Sequence, residues 1–264
     1  MTTPTALMAL PSGTPPTGAA GAGAPVPLGL GVARLGRRAE DLVIAGLVKY
    51  STCDWPGKLV ATVFLQGCPW NCGYCQNPDL MDPRAPGRVT WEEVTKLAER
   101  RRGLLDGIVF SGGEPTRQLG LAAALDQVRA LGLMTGLHTA GAYPARLAAV
   151  LPALDWVGLD IKALAHHYGT VTGVETAGQR AFDALGLVVA SGVDHEVRIT
   201  VDPVVHTEDH LRELIELVKA RGARRVVLQE ARAEGARPAY GAALANRRLR
   251  DVIGQVPEGV EVRA

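Results

Sequence analysis

From Leu42 onward, short apolar runs alternate with stretches whose apolar residues recur every three or four positions. The first arrangement suits strands buried on both faces, and the second suits helices laid against them. Strands are predicted at residues 60–65, 107–110, 133–137, 155–159, 196–201 and 225–228, with a short final strand at 260–262. Thr90 is placed to cap a helix, with Glu93 to complete a capping box and Gly103 to stop it. Further helices are predicted at 119–131, 143–151, 177–190 and 239–253. The best-marked helix follows Thr207. Glu208 and Asp209 favour its positive end, Leu211, Leu214, Ile215 and Val218 form one stripe, and Gly222 closes it. Six strand–helix repeats in this order predict a parallel sheet curved into a barrel or part-barrel, with a flat doubly wound sheet as the alternative.

Residues 1–40 break the pattern. They are built from Pro, Gly, Ala and Thr with a basic patch at Arg34, Arg37 and Arg38. With few large apolar groups to bury, they are expected to form a disordered tail, or alternatively a docking arm. The folded domain is expected to cover 41–264.

Composition narrows the class. The chain has 264 residues, 47% hydrophobic and 21% charged, enough for one well-buried core. Lys and Arg total 28 against 27 Asp and Glu, so no nucleic-acid partner is suggested. The first residues lack the basic and apolar regions of a signal peptide, and no run approaches the length of a membrane span. A cytoplasmic protein without a membrane partner is expected.

Three of the four cysteines fall in one run, Cys68, Cys72 and Cys75, spaced C-x3-C-x2-C directly after a predicted strand. A disulfide-stapled domain spreads its cysteines, whereas clustering points to a metal or redox cofactor. Structural zinc normally takes four protein ligands, and catalytic zinc favours at least one His. A cubane held by three thiolates keeps one iron open. A zinc-stabilised binding module remains the alternative. Cys53 lies before the strand and is expected to be a small buried residue rather than a fourth ligand.

This loop resembles the signature of the radical S-adenosylmethionine (SAM) superfamily, with Tyr74 as the aromatic residue before the last Cys. The resemblance implies an α/β fold, a partial (β/α)6 TIM-like barrel. It implies a [4Fe–4S] cluster on the three thiolates, with SAM chelating the open iron and cleaved to a 5′-deoxyadenosyl radical. Gly112-Gly113-Glu114 ends a predicted strand and resembles the superfamily's GGE motif, where close-approaching backbone and a carboxylate accept bonds from the nucleotide's amino group. Asp160 and Lys162 share one strand face; such a pair alone is more often a surface ion pair, but the run resembles the Asp-x-Lys that binds the nucleotide in glycyl-radical activating enzymes. Arg198 is expected to meet the nucleotide's carboxylate or to pair with Glu196. Gln76 stands where relatives often carry His. His138-Thr139 takes the place of a Thr-Asn-Gly-like run, with Ala140 for Asn, so little is carried over there. His166 and His167 are expected on a solvated loop.

Residues 54–58, Asp-Trp-Pro-Gly-Lys, resemble the opening of the activating proteins of anaerobic ribonucleoside-triphosphate reductase. Formate-lyase activating enzymes carry a His after the sixth strand, and residues 228–231 offer none. No second cysteine cluster is present, which disfavours an auxiliary-cluster enzyme. The resemblance thus implies an activase that makes a glycyl radical on a partner, an anaerobic ribonucleotide reductase, fed by flavodoxin or ferredoxin. A radical SAM enzyme acting on a small molecule or nucleoside is the alternative.

Overall fold

A computed structural model of the protein describes residues 37–263, which fall within one compact unit, Gly36–Ala264. The expected tail lies outside the described residues except for positions 37–40. There, Ala39–Asp41 form a single 3-10 turn with Ala39 fully buried, so folded structure begins slightly ahead of residue 41.

Eight strands form one sheet: β1 (Ile44–Ser51), β2 (Val60–Leu65), β3 (Gly107–Gly112), β4 (Met134–Thr139), β5 (Trp156–Asp160), β6 (Asp194–Val201), β7 (Val226–Glu230) and β8 (Val260–Arg263). They pair in chain order; β1 runs antiparallel to β2 and every other pair is parallel. The helices are α1 (Trp91–Arg100), α2 (Leu121–Ala130), α3 (Pro144–Val150), α4 (Tyr168–Thr172), α5 (Ala177–Ser191), α6 (Glu208–Ala220) and α7 (Pro238–Leu244). Residues of β3 through β8 line one shared cavity, which a flat sheet does not permit. The sheet is therefore a curved, open barrel with β1 and β8 at its two edges among the described residues, Ile44 of β1 also bridged by Val89. No helix among the described residues is long and apolar enough to cross a membrane.

Local chemistry accounts for most elements. At α1, Glu93 N–H donates to Thr90 Oγ1 at 3.2 Å and Thr90 N–H donates to Glu93 Oε2 at 2.7 Å, a complete capping box. Thr207 accepts from His210 N–H, and α6 buries Leu211, Leu214, Ile215 and Val218. Two expectations differ. Strand β1 was not predicted; its lower half is exposed, so no buried face shows in its pattern. The expected helix at 239–253 stops at Leu244, because Ala245 and Asn246 adopt left-handed φ of 50° and 62°. Arg247 holds this break by donating to the carbonyls of Ala243, Leu244 and Pro203.

The floor of the lumen is a separate apolar cluster of Trp55, Val60, Val109 and Trp156, with Met134 against it. The two indoles stack at 5.4 Å. Gly136 and Gly158 make the room: a Cβ at either would lie 2.9 Å from an indole carbon of Trp55 or Trp156.

Candidate active site

The shared cavity, about 370 Å³, opens at the carboxyl ends of the parallel strands, where barrel active sites form. The loop after β2 brings Cys68, Cys72 and Cys75 to its wall. Gln66 anchors the loop's start by donating to the carbonyls of Asp79 and Asp82. Asn71 N–H donates to the Thr172 carbonyl at 2.8 Å, pinning the middle of the loop to α4. All four cysteines are free thiols. Burial pushes the Cys68 thiol up to about 12 and raises Cys72, so both stay protonated until an electropositive centre takes the protons' place. Cys53 lies exposed on the β1–β2 loop, its N–H bound to Ser51 Oγ. The expectation of a buried Cys53 is thereby corrected: the loop turns outward before Trp55 turns in.

The Gly-Gly-Glu turn ends β3. At Gly112, where φ is 122°, a Cβ would collide with the Leu65 backbone; at Gly113 it would lie 2.5 Å from the Gly67 carbonyl oxygen. Both glycines let this turn cross directly behind the cysteine loop, and both line the cavity. Glu114 is placed differently from the expectation of a side chain facing the nucleotide. Fully buried, it is absent from the cavity lining. Its carboxylate accepts from Thr116 N–H, Thr116 Oγ1, Thr139 Oγ1 at 2.7 Å and Ala140 N–H at 2.9 Å. It ties the end of β3 to the end of β4, and the turn presents backbone, not carboxylate, to the cavity.

Lining the same cavity, Asp160 Oδ1 accepts from Arg198 Nε at 2.8 Å, and Lys162 Nζ lies 3.5 Å from Asp160 Oδ2. Burial alone would raise the Asp160 pKa, but Arg198 and Lys162 outweigh it and hold the carboxylate below its usual range. Of the two partners expected for Arg198, Glu196 is taken by Arg263 through bonds of 2.7 and 2.8 Å. Lys162 Nζ also sits 5.5 Å over the Tyr74 ring. His138 borders the same space. Its Nε2 lies 2.6 Å from the Asp54 carbonyl, so it carries the proton there and leaves Nδ1 as an acceptor near Ser111 Oγ. His166, exposed, and His167, partly exposed, lie in a surface 3-10 turn.

A cap missed at the level of sequence covers the cysteine loop from outside. Arg237 Nη2 donates to Asn71 Oδ1 and contacts Met81 Sδ. Tyr240 packs on Gly73 and meets the Tyr74 ring edge-on at 6.5 Å, held by its hydroxyl's bond to Asp202 at 2.8 Å. The only advance signal was an isolated Tyr in a predicted helix.

Cys68, Cys72, Cys75, Tyr74, Gln76, Gly112, Gly113, Asp160, Lys162 and Arg198 thus share one cavity. Among the described residues, no three Cys, His, Asp or Glu side chains gather as a single metal ion requires. A cubane, whose thiolates reach separate corners, makes no such demand. Trp70 Nε1 and Tyr74 Oη, both buried on cavity-lining residues, have no hydrogen-bond partner among the described residues.

Residues 62–220, more than half of the chain, match the Radical SAM superfamily. The chain belongs to that superfamily. With membership come its [4Fe–4S] cluster and SAM, for which the three thiols and the facing strand ends are the fitting residues, in place of the zinc module. The pyruvate formate-lyase-activating enzyme of Clostridium pasteurianum is 33% identical over 63% of this chain and 71% of its own length. A Methanocaldococcus jannaschii protein named for glycyl-radical enzyme activation is 28% identical over 67% of this chain and 75% of its own. Among solved structures, SuiB of Streptococcus suis, determined with SAM, superposes with a TM-score of 0.53 at 16% identity, over 75% of this chain and 48% of that one. That likeness is one of fold, and this chain spans about half the length of that structure.

Proposed function

We propose that this radical SAM enzyme is an activase that generates a glycyl radical on a partner protein in the cytoplasm, the partner being an anaerobic ribonucleoside-triphosphate reductase. The observation that carries the activase reading is the pair of relatives named for that activity, each matched over more than two thirds of its own length. When bound, the cluster and SAM supply reductive cleavage to a 5′-deoxyadenosyl radical. Cys68, Cys72 and Cys75 would hold the cluster, while the Gly112–Gly113 backbone, Asp160, Lys162 and Arg198 orient the nucleotide. Tyr74, Gln76 and the cap of Arg237 and Tyr240 exclude water from that side. Among the described residues β1 and β8 do not pair with each other, and a sheet left open in this way supports entry of a protein loop. Ser111, Thr200 and Gln229 offer neutral hydrogen-bonding groups inside the lumen that a peptide backbone could use. A low-potential carrier such as flavodoxin or ferredoxin would supply the electron.

The choice of reductase rests on residues 54–58 and on the absence of His at 228–231; the Clostridium relative is named for formate lyase instead. The test is anaerobic incubation of the reduced enzyme and SAM with each glycyl-radical enzyme in turn, read by electron paramagnetic resonance. A doublet on the reductase, lost on changing its radical glycine to Ala, is expected. A doublet only on formate lyase reassigns the partner. SAM cleavage driven in step by a small molecule, with no protein radical, overturns the activase reading.

A further inference from the structure

A second cavity, about 350 Å³, shares no lining residue with the first. Its walls carry three arginines, Arg37, Arg117 and Arg146, against a single carboxylate, Asp41. Asp41 is already engaged, accepting from Arg38 N–H at 2.9 Å. Asp82, beside the lining residue Pro83, is paired with Arg84. Arg146 is held in place: its guanidinium lies 4.7 Å over the Tyr143 ring and donates to the Arg117 carbonyl. Arg117 runs along Gly67, where a Cβ would sit 3.1 Å from its Nη1. Neither Arg37 nor Arg117 has a side-chain hydrogen-bond or ion-pair partner among the described residues. Residues 1–36 contain no Asp or Glu.

Three arginine side chains and one carboxylate line this concavity, an excess of positive charge that an anion from outside would balance. Their planar forks match tetrahedral oxyanions in paired bonds, and the volume lies at the lower end of the range of small-molecule sites. We propose that this cavity binds a phosphate or polyphosphate group. A polyphosphate matches the excess positive charge better than one carboxylate does. The site would stand against the back of the cysteine loop, since Gln66 lines it and Gly67 precedes Cys68.

The test uses the full-length, anaerobically reconstituted enzyme saturated with SAM, so that Lys162 and Arg198 are covered. Inorganic phosphate, pyrophosphate and adenosine triphosphate are titrated calorimetrically in turn. Saturable binding of pyrophosphate, tighter than that of phosphate and weakened by added salt, is expected. Arg117→Gln and Arg146→Gln should each weaken it about tenfold or more, with iron content and SAM affinity unchanged. Arg37→Gln, on an exposed residue, gives the same readout without risk to folding, and Arg84→Gln, outside the cavity, should bind as the parent does. Triphosphate binding that exceeds pyrophosphate identifies a nucleotide, and equal binding identifies the phosphates alone. No saturable binding of any probe up to about 10 mM, or binding untouched by all three cavity substitutions, overturns the proposal. The readout is independent of any glycyl radical, so failure here leaves the proposed function standing.

Discussion

Along β5, Trp156, Gly158 and Asp160 face the lumen in succession; along β4, Gly136 and His138 do the same. Residues two apart on a strand lie roughly 7 Å apart on one face, so one or two steps separate an indole floor from a charged mouth. At the floor, Trp55 and Trp156 are almost fully buried against glycine backbones and apolar side chains. At the mouth, thiols, Asp160, Lys162 and Arg198 surround an open cavity. The floor is satisfied by its own packing, and the mouth by something it must bind. Depth along the strand, rather than choice of strand, divides stability from chemistry in this barrel.

The comparison breaks most visibly at the cysteines. Changing Cys68, Cys72 or Cys75 to Ala should abolish cluster incorporation, measured as iron and sulfide per chain, with the thermal transition of the cluster-free protein nearly unmoved. Cys53→Ala, at an exposed position, should retain full iron. Trp55→Ala should do the reverse: a cost of about 3–5 kcal/mol in chemical denaturation, with the folded fraction still taking up iron. If Trp55→Ala leaves stability alone, the floor is not a packed layer.

His138 joins the two zones and sharpens the boundary. Burial first, then Arg198, pushes its pKa down to about 3, whereas an unfolded chain protonates His near 6.5. Between those values the unfolded state binds the extra proton, so stability rises with pH across the window and is lost as pH falls through it. The loss by pH 5 should be of order 2 kcal/mol. His138→Gln should flatten that part of the denaturation profile of the cluster-free protein; an unchanged slope would show that His138 is not the titrating group. The smallest effect is expected at the cap. Arg237→Ala should cost about 1 kcal/mol or less, yet release iron to a ferrous chelator severalfold faster than the parent. Equal release rates would show that the cap does not cover the loop.

Much of this architecture is legible in the sequence. Parallel strands declare themselves as apolar runs because both faces are buried, and α1 and α6 because their caps are local. Strand β1 escaped because its structure comes from pairing with β2 while Val48 and Tyr50 remain exposed. The cysteine spacing and the face shared by Asp160 and Lys162 are short-range facts, and the fold keeps them. What distance in sequence hid was the second role of familiar residues. Trp55, read as part of a family motif, is half of the floor. Gly112 and Gly113 serve the crossing of two backbones as much as any ligand. Glu114 braces two strand ends, and Tyr240 finds Tyr74 only through the curvature of the whole sheet.

The central claim is that the mouth holds a cluster with one iron open to SAM. The direct measurement is the electron paramagnetic resonance spectrum of the reduced, reconstituted protein before and after SAM is added. The spectrum of a reduced [4Fe–4S] centre should change in shape on addition, and Asp160→Ala should require more SAM for the same change. A protein that takes up zinc but no iron, or a cluster whose spectrum SAM leaves untouched, would contradict it.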